Sequence, residues 1–136
     1  MMTPKGDRAA ALAGAFVFCV LVGGCVEWAR SYQEYMQGGP ASLIVLGVIA
    51  ATGFVLALAT EISTRAIGIV LNLAFPTTIL IRVLIDTAKD PTTHNLFPIE
   101  IAFALVVGLL AAWPATWLGR SIRTLVRRPR HLTPSP

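Results

Sequence analysis

A-S-L-I-V-L-G-V-I-A-A-T-G-F-V-L-A-L-A-T, residues 41–60, holds twenty residues without a single charge. An α-helix rises about 1.5 Å per residue, so this run reaches about 30 Å, the thickness of a bilayer's hydrocarbon core. Lipid offers no partner to a backbone N–H or C=O, so a segment this apolar crosses as a helix with all its hydrogen bonds internal. Three further runs join it. Residues 9–26 (AAALAGAFVFCVLVGGCV) are equally free of charge. Residues 66–85 (AIGIVLNLAFPTTILIRVLI) carry Asn72 and Pro76 inside and Arg82 near the end, and residues 101–119 (IAFALVVGLLAAWPATWLG) are interrupted only by Pro114. The expected fold class is all-α: a polytopic four-transmembrane-helix bundle that takes the whole chain, 1–136, as a single membrane domain. Loops at 27–40 and 86–100 join the spans on the outer side, and a basic tail occupies 120–136.

Composition supports this reading. The chain is 55% hydrophobic and 13% charged, against roughly 25% charged in soluble domains. No stretch remains for a soluble Rossmann or P-loop domain, no glycine-rich phosphate motif appears, and no cofactor can be read from the residues.

Basic residues are retained on the cytoplasmic side of a membrane. With the N-terminus inside, Lys5, Arg8, Arg65, Arg120, Arg123, Arg127, Arg128 and Arg130 are cytoplasmic, and Arg30, Arg82 and Lys89 lie outside. The acids lean the other way, with Glu27, Glu34, Asp86, Asp90 and Glu100 outside against Asp7 and Glu61 inside. The reading is N-in, C-in, in a bacterial cytoplasmic (inner) membrane. Trp28, Tyr32 and Tyr35 after the first span, and Trp113 and Trp117 closing the fourth, suit the bilayer–water boundaries where aromatics collect.

Past Trp117, basic residues interleave with Ile122, Leu125 and Val126. A short helix lying on anionic lipid headgroups would use this pattern, through Arg120, Arg123, Arg127, Arg128 and Arg130. A nucleic-acid partner is not indicated, because a basic tail without a recognisable binding module carries little specificity. At the other end, V-G-G-C at 22–25 resembles the lipobox of bacterial lipoprotein signals; cutting there would lipidate Cys25 and leave three spans. Eighteen uncharged residues exceed the about 7–15 of a signal peptide's apolar region, which favours a membrane helix. Cys19 and Cys25, six residues apart, fall on different helix faces and read as small packing residues rather than a disulfide or metal pair.

Two stretches hold the candidate chemistry. In the third span, Pro76 removes a backbone donor and leaves the carbonyl near Asn72 without its usual partner, a defect that Asn72, Thr77 or Thr78 can repair. A kinked span with a polar collar is one way to line a transport path, here past Asn72, Pro76, Thr77 and Thr78. No ionisable residue sits at the centre of a span, which counts against a proton-coupled carrier. Four spans in so short a chain is also the architecture of small multidrug exporters, but their central glutamate in the first span is missing, Glu27 standing at its end.

The second stretch is D-P-T-T-H-N-L-F-P-I-E, residues 90–100. Asp86, Asp90, His94 and Glu100 gathered at a membrane surface suit acid–base work or a divalent cation, yet they show no metal-ligand spacing and no metal is read from them. A structural account covers the same residues: Asp-Pro followed by threonines favours a compact turn, Pro98 suits a first helical turn, and Glu100 places negative charge at a helix N-terminus.

Small-xxx-small spacings recur at Ala10 with Gly14, Gly47 with Ala51, Gly53 with Ala57, and Gly108 with Ala112, and such faces let helices in lipid approach closely. The reading that joins these features is a non-catalytic accessory or assembly subunit whose partner is another membrane protein or a second copy. The alternatives are a small homo-oligomeric channel or transporter along span three, and an extracytoplasmic enzyme or metal site in the 86–100 loop.

Overall fold

The computed structural model describes residues 5–37, 39–94 and 96–127. These form six helices: α1 (Lys5–Glu27), α2 (Tyr32–Met36), α3 (Pro40–Ala59), α4 (Thr64–Asn72), α5 (Ala74–Lys89) and α6 (Phe97–Val126). Four segments are long and apolar enough to cross a membrane: Gly6–Glu27, Pro40–Ala59, Thr64–Lys89 and Phe97–Val126. The shortest has 20 residues, about 30 Å of helix, so every one is long enough to span the hydrocarbon. The protein is an all-α, four-span membrane bundle, antiparallel between neighbours in the chain.

The third span is not the single helix expected. It breaks at Leu73, which ends α4 and begins α5. Pro76 has no N–H for the Asn72 carbonyl and its ring crowds that group, so the ladder fails one turn ahead of the proline. Thr77 then donates both its amide (3.1 Å) and its hydroxyl (2.7 Å) to the Leu73 carbonyl, and Thr78 donates its hydroxyl to Ala74 (3.0 Å). Pro114, by contrast, lies inside α6 without ending it.

α3 and α6 run parallel in close contact. The buried positions of α3 are Val45, Ile49, Gly53 and Ala57, and those of α6 include Ala104, Gly108, Ala112 and Thr116. Each set repeats every four residues, one row on one helix face. Glycine sets the approach: a Cβ on Gly119 would stand 2.4 Å from the Phe54 carbonyl oxygen, and one on Gly53 would stand 2.9 Å from the Thr116 methyl. Two of the four small-xxx-small pairs, Gly53 with Ala57 and Gly108 with Ala112, therefore serve packing within the chain. Ala10, Gly14, Gly47 and Ala51 all face outward, and a Cβ on Gly14 or Gly47 would meet nothing within 4 Å.

The 27–40 segment, read as a loop, contains the short helix α2. Ser31 accepts from the Glu34 amide while the Glu34 carboxylate accepts from the Ser31 amide, a reciprocal capping box in which two otherwise orphaned donors are satisfied.

Candidate functional site

At the end of the bundle that carries α2, polar side chains from every span converge. Their position follows from the local sequence. Asp90 ends α5, its carboxylate accepts from the Thr92 amide (2.9 Å) and hydroxyl (2.7 Å), and its carbonyl accepts from the Thr93 amide (3.1 Å) and hydroxyl (2.8 Å). This Asx-type turn reverses the chain after Pro91. The exposed Asp90 carboxyl is held below its ordinary range, first by the Thr92 hydroxyl and then by the Thr92 amide. Asp90 thus builds the turn and stands outside the cluster.

The next residue inward is His94, with φ at 53°, the one non-glycine positive φ among the described residues. Such backbone costs about 1–3 kcal/mol and persists where surroundings over-determine it. Here they do, because His94 is only 3% exposed. Its Nδ1 faces Glu100 at 2.9 and 3.1 Å, and its Nε2 faces Asp86 Oδ2 at 3.0 Å. Its amide donates to the Tyr32 hydroxyl at 3.4 Å, and its ring meets Tyr32 edge-on at 4.7 Å between centroids. A neutral imidazole donates through one nitrogen, whereas the imidazolium donates to both carboxylates at once.

Arg82 forms a second layer. Only 2% exposed, it donates to the carbonyl of Glu27, to that of Arg30 at 3.0 Å and to that of Ser31 at 3.1 Å. Its Nε lies 3.2 Å from Asp86, four residues on, and its guanidinium stacks 4.4 Å from the Tyr35 ring centroid. A cation at the Glu27 carbonyl, the last of α1, answers both its lone pairs and the negative end of the helix dipole. Glu27, fully buried, accepts from Ser42 at 2.8 Å on α3 and pairs with Arg30 at 3.2 Å. The Tyr35 hydroxyl donates to Glu100 at 3.1 Å. Burial, and then the Glu100 charge, push the Tyr35 phenol well above the ordinary tyrosine range.

Of the four loop residues singled out from sequence, three meet: Asp86, His94 and Glu100. The two carboxylates sit on opposite nitrogens of one ring, so they cannot converge on one ion. Among the described residues no group of three or more His, Cys, Asp or Glu side chains is placed to hold a metal. Both ring nitrogens face carboxylate oxygens. Arg82, Tyr32, Tyr35 and Ser42 complete the cluster; Tyr32 and Tyr35, read from sequence as membrane-boundary anchors, here flank His94. The isolated arginine within I-L-I-R-V-L-I was the available signal for Arg82, since an ionisable residue in an apolar span needs a partner.

The candidates in span three have different surroundings. Asn72 Oδ1 is buried without a hydrogen-bond donor among the described residues, against Gly108, where a Cβ would stand 2.8 Å away. Thr78 is buried against Gly23 of α1. Pro76 and Thr77 line a recess of about 190 Å³ on the surface with Leu73, Leu80, Ile101 and Leu105.

At the opposite end, Arg120 and Arg123 belong to α6 and not to a separate surface helix, because α6 continues unbroken to Val126. Arg120 donates to the carbonyls of Thr60 and Ile62, and Arg123, almost fully buried, pairs with Glu61 at 3.0 Å. Both staple the α3–α4 connection. Arg127 reaches the same Glu61 at 3.3 Å from an exposed position; Arg128 and Arg130 lie outside the described residues. Trp113 packs over Gly68, and the Trp28 indole donates to the Thr78 carbonyl at 3.1 Å. No known family model matches the chain, and no curated protein or solved structure is significantly similar to it.

Proposed function

We propose that the protein is a non-catalytic accessory or assembly subunit of a membrane complex, docking through the outward faces of α1 and α3. The observation that carries this reading is the division of the small-residue pairs. Gly53, Ala57 and Ala112 are buried where α3 meets α6 and Gly108 is buried against Asn72 and Phe75 of the third span, while Ala10, Gly14, Gly47 and Ala51 lie exposed with open space above the glycines. In lipid, where apolar surface alone does not drive helices together, such open small-residue faces favour close approach by another helix. The polar groups support the same reading, because His94, Asp86, Glu100 and Arg82 bind one another and leave the cluster acting as a clasp.

The orientation belongs to this proposal: N-in and C-in across a bacterial cytoplasmic membrane, with Arg127, Arg128 and Arg130 near anionic headgroups. Eight of eleven basic residues fall on the inner side in this arrangement, as retention of cations predicts. The partner is another membrane protein or a second copy of the chain.

Gentle extraction of tagged protein from its native membrane, followed by intact-complex mass spectrometry, tests this. The expected result is stoichiometric recovery with another integral membrane protein or as a homo-oligomer, lost when Gly47 and Ala51 become leucine. Recovery as a monomer, or a complex indifferent to those leucines, overturns it.

A further inference from the structure

Between the α2-end halves of α3 and α6 lies a half-open cleft of about 440 Å³, within the range of small-molecule pockets, about 300–1,000 Å³. Leu43 and Leu46 of α3 face Phe103 and Val107 of α6 across it, with Phe75 and Ile79 of α5 as its floor. Toward the α2 end its lining includes the polar side chains Glu100, Tyr35 and Ser42. From Glu100 to Val107 the helix advances seven residues, about 10 Å. The cleft thus runs from a carboxylate near the membrane boundary down into an apolar interior.

Its charge is one-sided. Glu100 is the single charged residue among those lining it, and the Ser42 hydroxyl beside it is oriented by buried Glu27. We infer that this cleft binds a membrane-partitioned amphiphile with a cationic head, an ammonium or comparable group, pairing with Glu100 while its apolar body fills the space between α3 and α6. Glu100 retains 18% side-chain exposure, so one of its faces remains open beyond the contacts with His94 and Tyr35. The aromatic face of Phe103 adds attraction for a cation. An anionic amphiphile of the same length would place its charge against Glu100, an unfavourable pairing. The cleft opens at Leu43 and Phe103, both largely exposed, and Leu43 lies one turn from Gly47, so the site adjoins the docking face of α3 and is told from it by Glu100 and Val107 on α6.

The test is equilibrium binding of tritiated dodecyltrimethylammonium to the full chain in phosphatidylcholine nanodiscs, with empty discs subtracted, below concentrations that dissolve the discs. The expected result is one saturable site per chain, displaced by the unlabelled cation and not by dodecyl sulfate or dodecanol. Glu100→Gln should weaken it at least about tenfold, the loss of one charged contact, and Val107→Trp should abolish it by filling the cleft away from the polar cluster. Should Glu100→Gln fail to fold, the comparison of cation, anion and alcohol on the unmodified chain carries the charge assignment. Equal binding to loaded and empty discs, equal displacement by dodecyl sulfate, or unchanged binding to a folded Val107→Trp variant each overturns the inference.

Discussion

Replacing His94 with alanine removes a side chain that ties the α5–α6 turn to Asp86 of α5 and Glu100 of α6. The wild-type ring faces Glu100 at 2.9 Å and Asp86 at 3.0 Å, and where both nitrogens carry a proton each contact is worth about 1.5–3 kcal/mol. The gross loss is therefore about 3–6 kcal/mol. Against it stands partial re-solvation of the carboxylates, whose side chains already keep 17% and 18% exposure. The net destabilisation expected is about 2–4 kcal/mol, a large share of the about 5–15 kcal/mol that holds a typical domain. The assay is reversible unfolding in mixed micelles with added dodecyl sulfate, followed by tryptophan fluorescence. Trp28 reports on the same end of the bundle through its bond to the Thr78 carbonyl. His94→Asn, which tolerates positive φ and keeps one donor, should fall between wild type and alanine. A loss below about 0.5 kcal/mol for His94→Ala, the range of ordinary surface substitutions, would refute the clasp.

Arg82→Ala should cost about 3–5 kcal/mol by removing the buried cation that pairs with Asp86 and binds the carbonyls of Glu27, Arg30 and Ser31, and Arg82→Lys should recover only part, since one ammonium cannot reproduce the guanidinium fork; the same unfolding assay reads both. Gly119→Ala should cost about 1–3 kcal/mol by forcing α6 away from the Phe54 carbonyl, whereas Gly47→Ala, with nothing within 4 Å of the added carbon, should leave monomer stability within about 0.5 kcal/mol. Because Tyr35 binds its proton more tightly when folded, its contribution is complete below about pH 10 and declines as pH rises through the higher folded value. Tyr35→Phe should flatten that alkaline limb, and absorbance titration of the wild type should show a tyrosine ionising well above the ordinary range. Asp90 has the opposite sign: its contribution is present above about pH 4 and is lost as pH falls through its depressed folded value, so Asp90→Asn should flatten the acid limb of stability.

The spans were legible because membrane crossing is a local property: twenty uncharged residues at 41–60 require no knowledge of the rest of the chain. The break at Leu73 was half legible, since Pro76 announces a missing donor but the ladder's failure point depends on how Thr77 and Thr78 re-bond. The capping box at Ser31 and Glu34 was present as a local S-x-x-E pattern within what read as an outer loop. The contact between Arg82 and the carbonyl of Glu27 was not legible, because it joins residues 55 apart in sequence whose meeting follows from the order in which α1 and α5 pack. The same holds for Arg120 and Arg123. Their spacing suited a lipid surface, and only the return of the α3–α4 connection beside α6 supplies Thr60, Ile62 and Glu61 as nearer partners. Asp90 and His94 illustrate the limit within one short stretch. Both are polar residues of the same turn, and the backbone reversal at Asp90 is what sends one outward and the other into the bundle.

The central claim is that the open faces of α1 and α3 meet another transmembrane helix. A photocrosslinking amino acid at Gly47, with the same probe at Leu110 on the exposed face of α6 as the comparison, tests this in the native membrane. The account predicts a protein adduct of defined mass from Gly47, to a second copy or to another membrane protein, and lipid adducts from Leu110. Lipid adducts alone from both positions would contradict it.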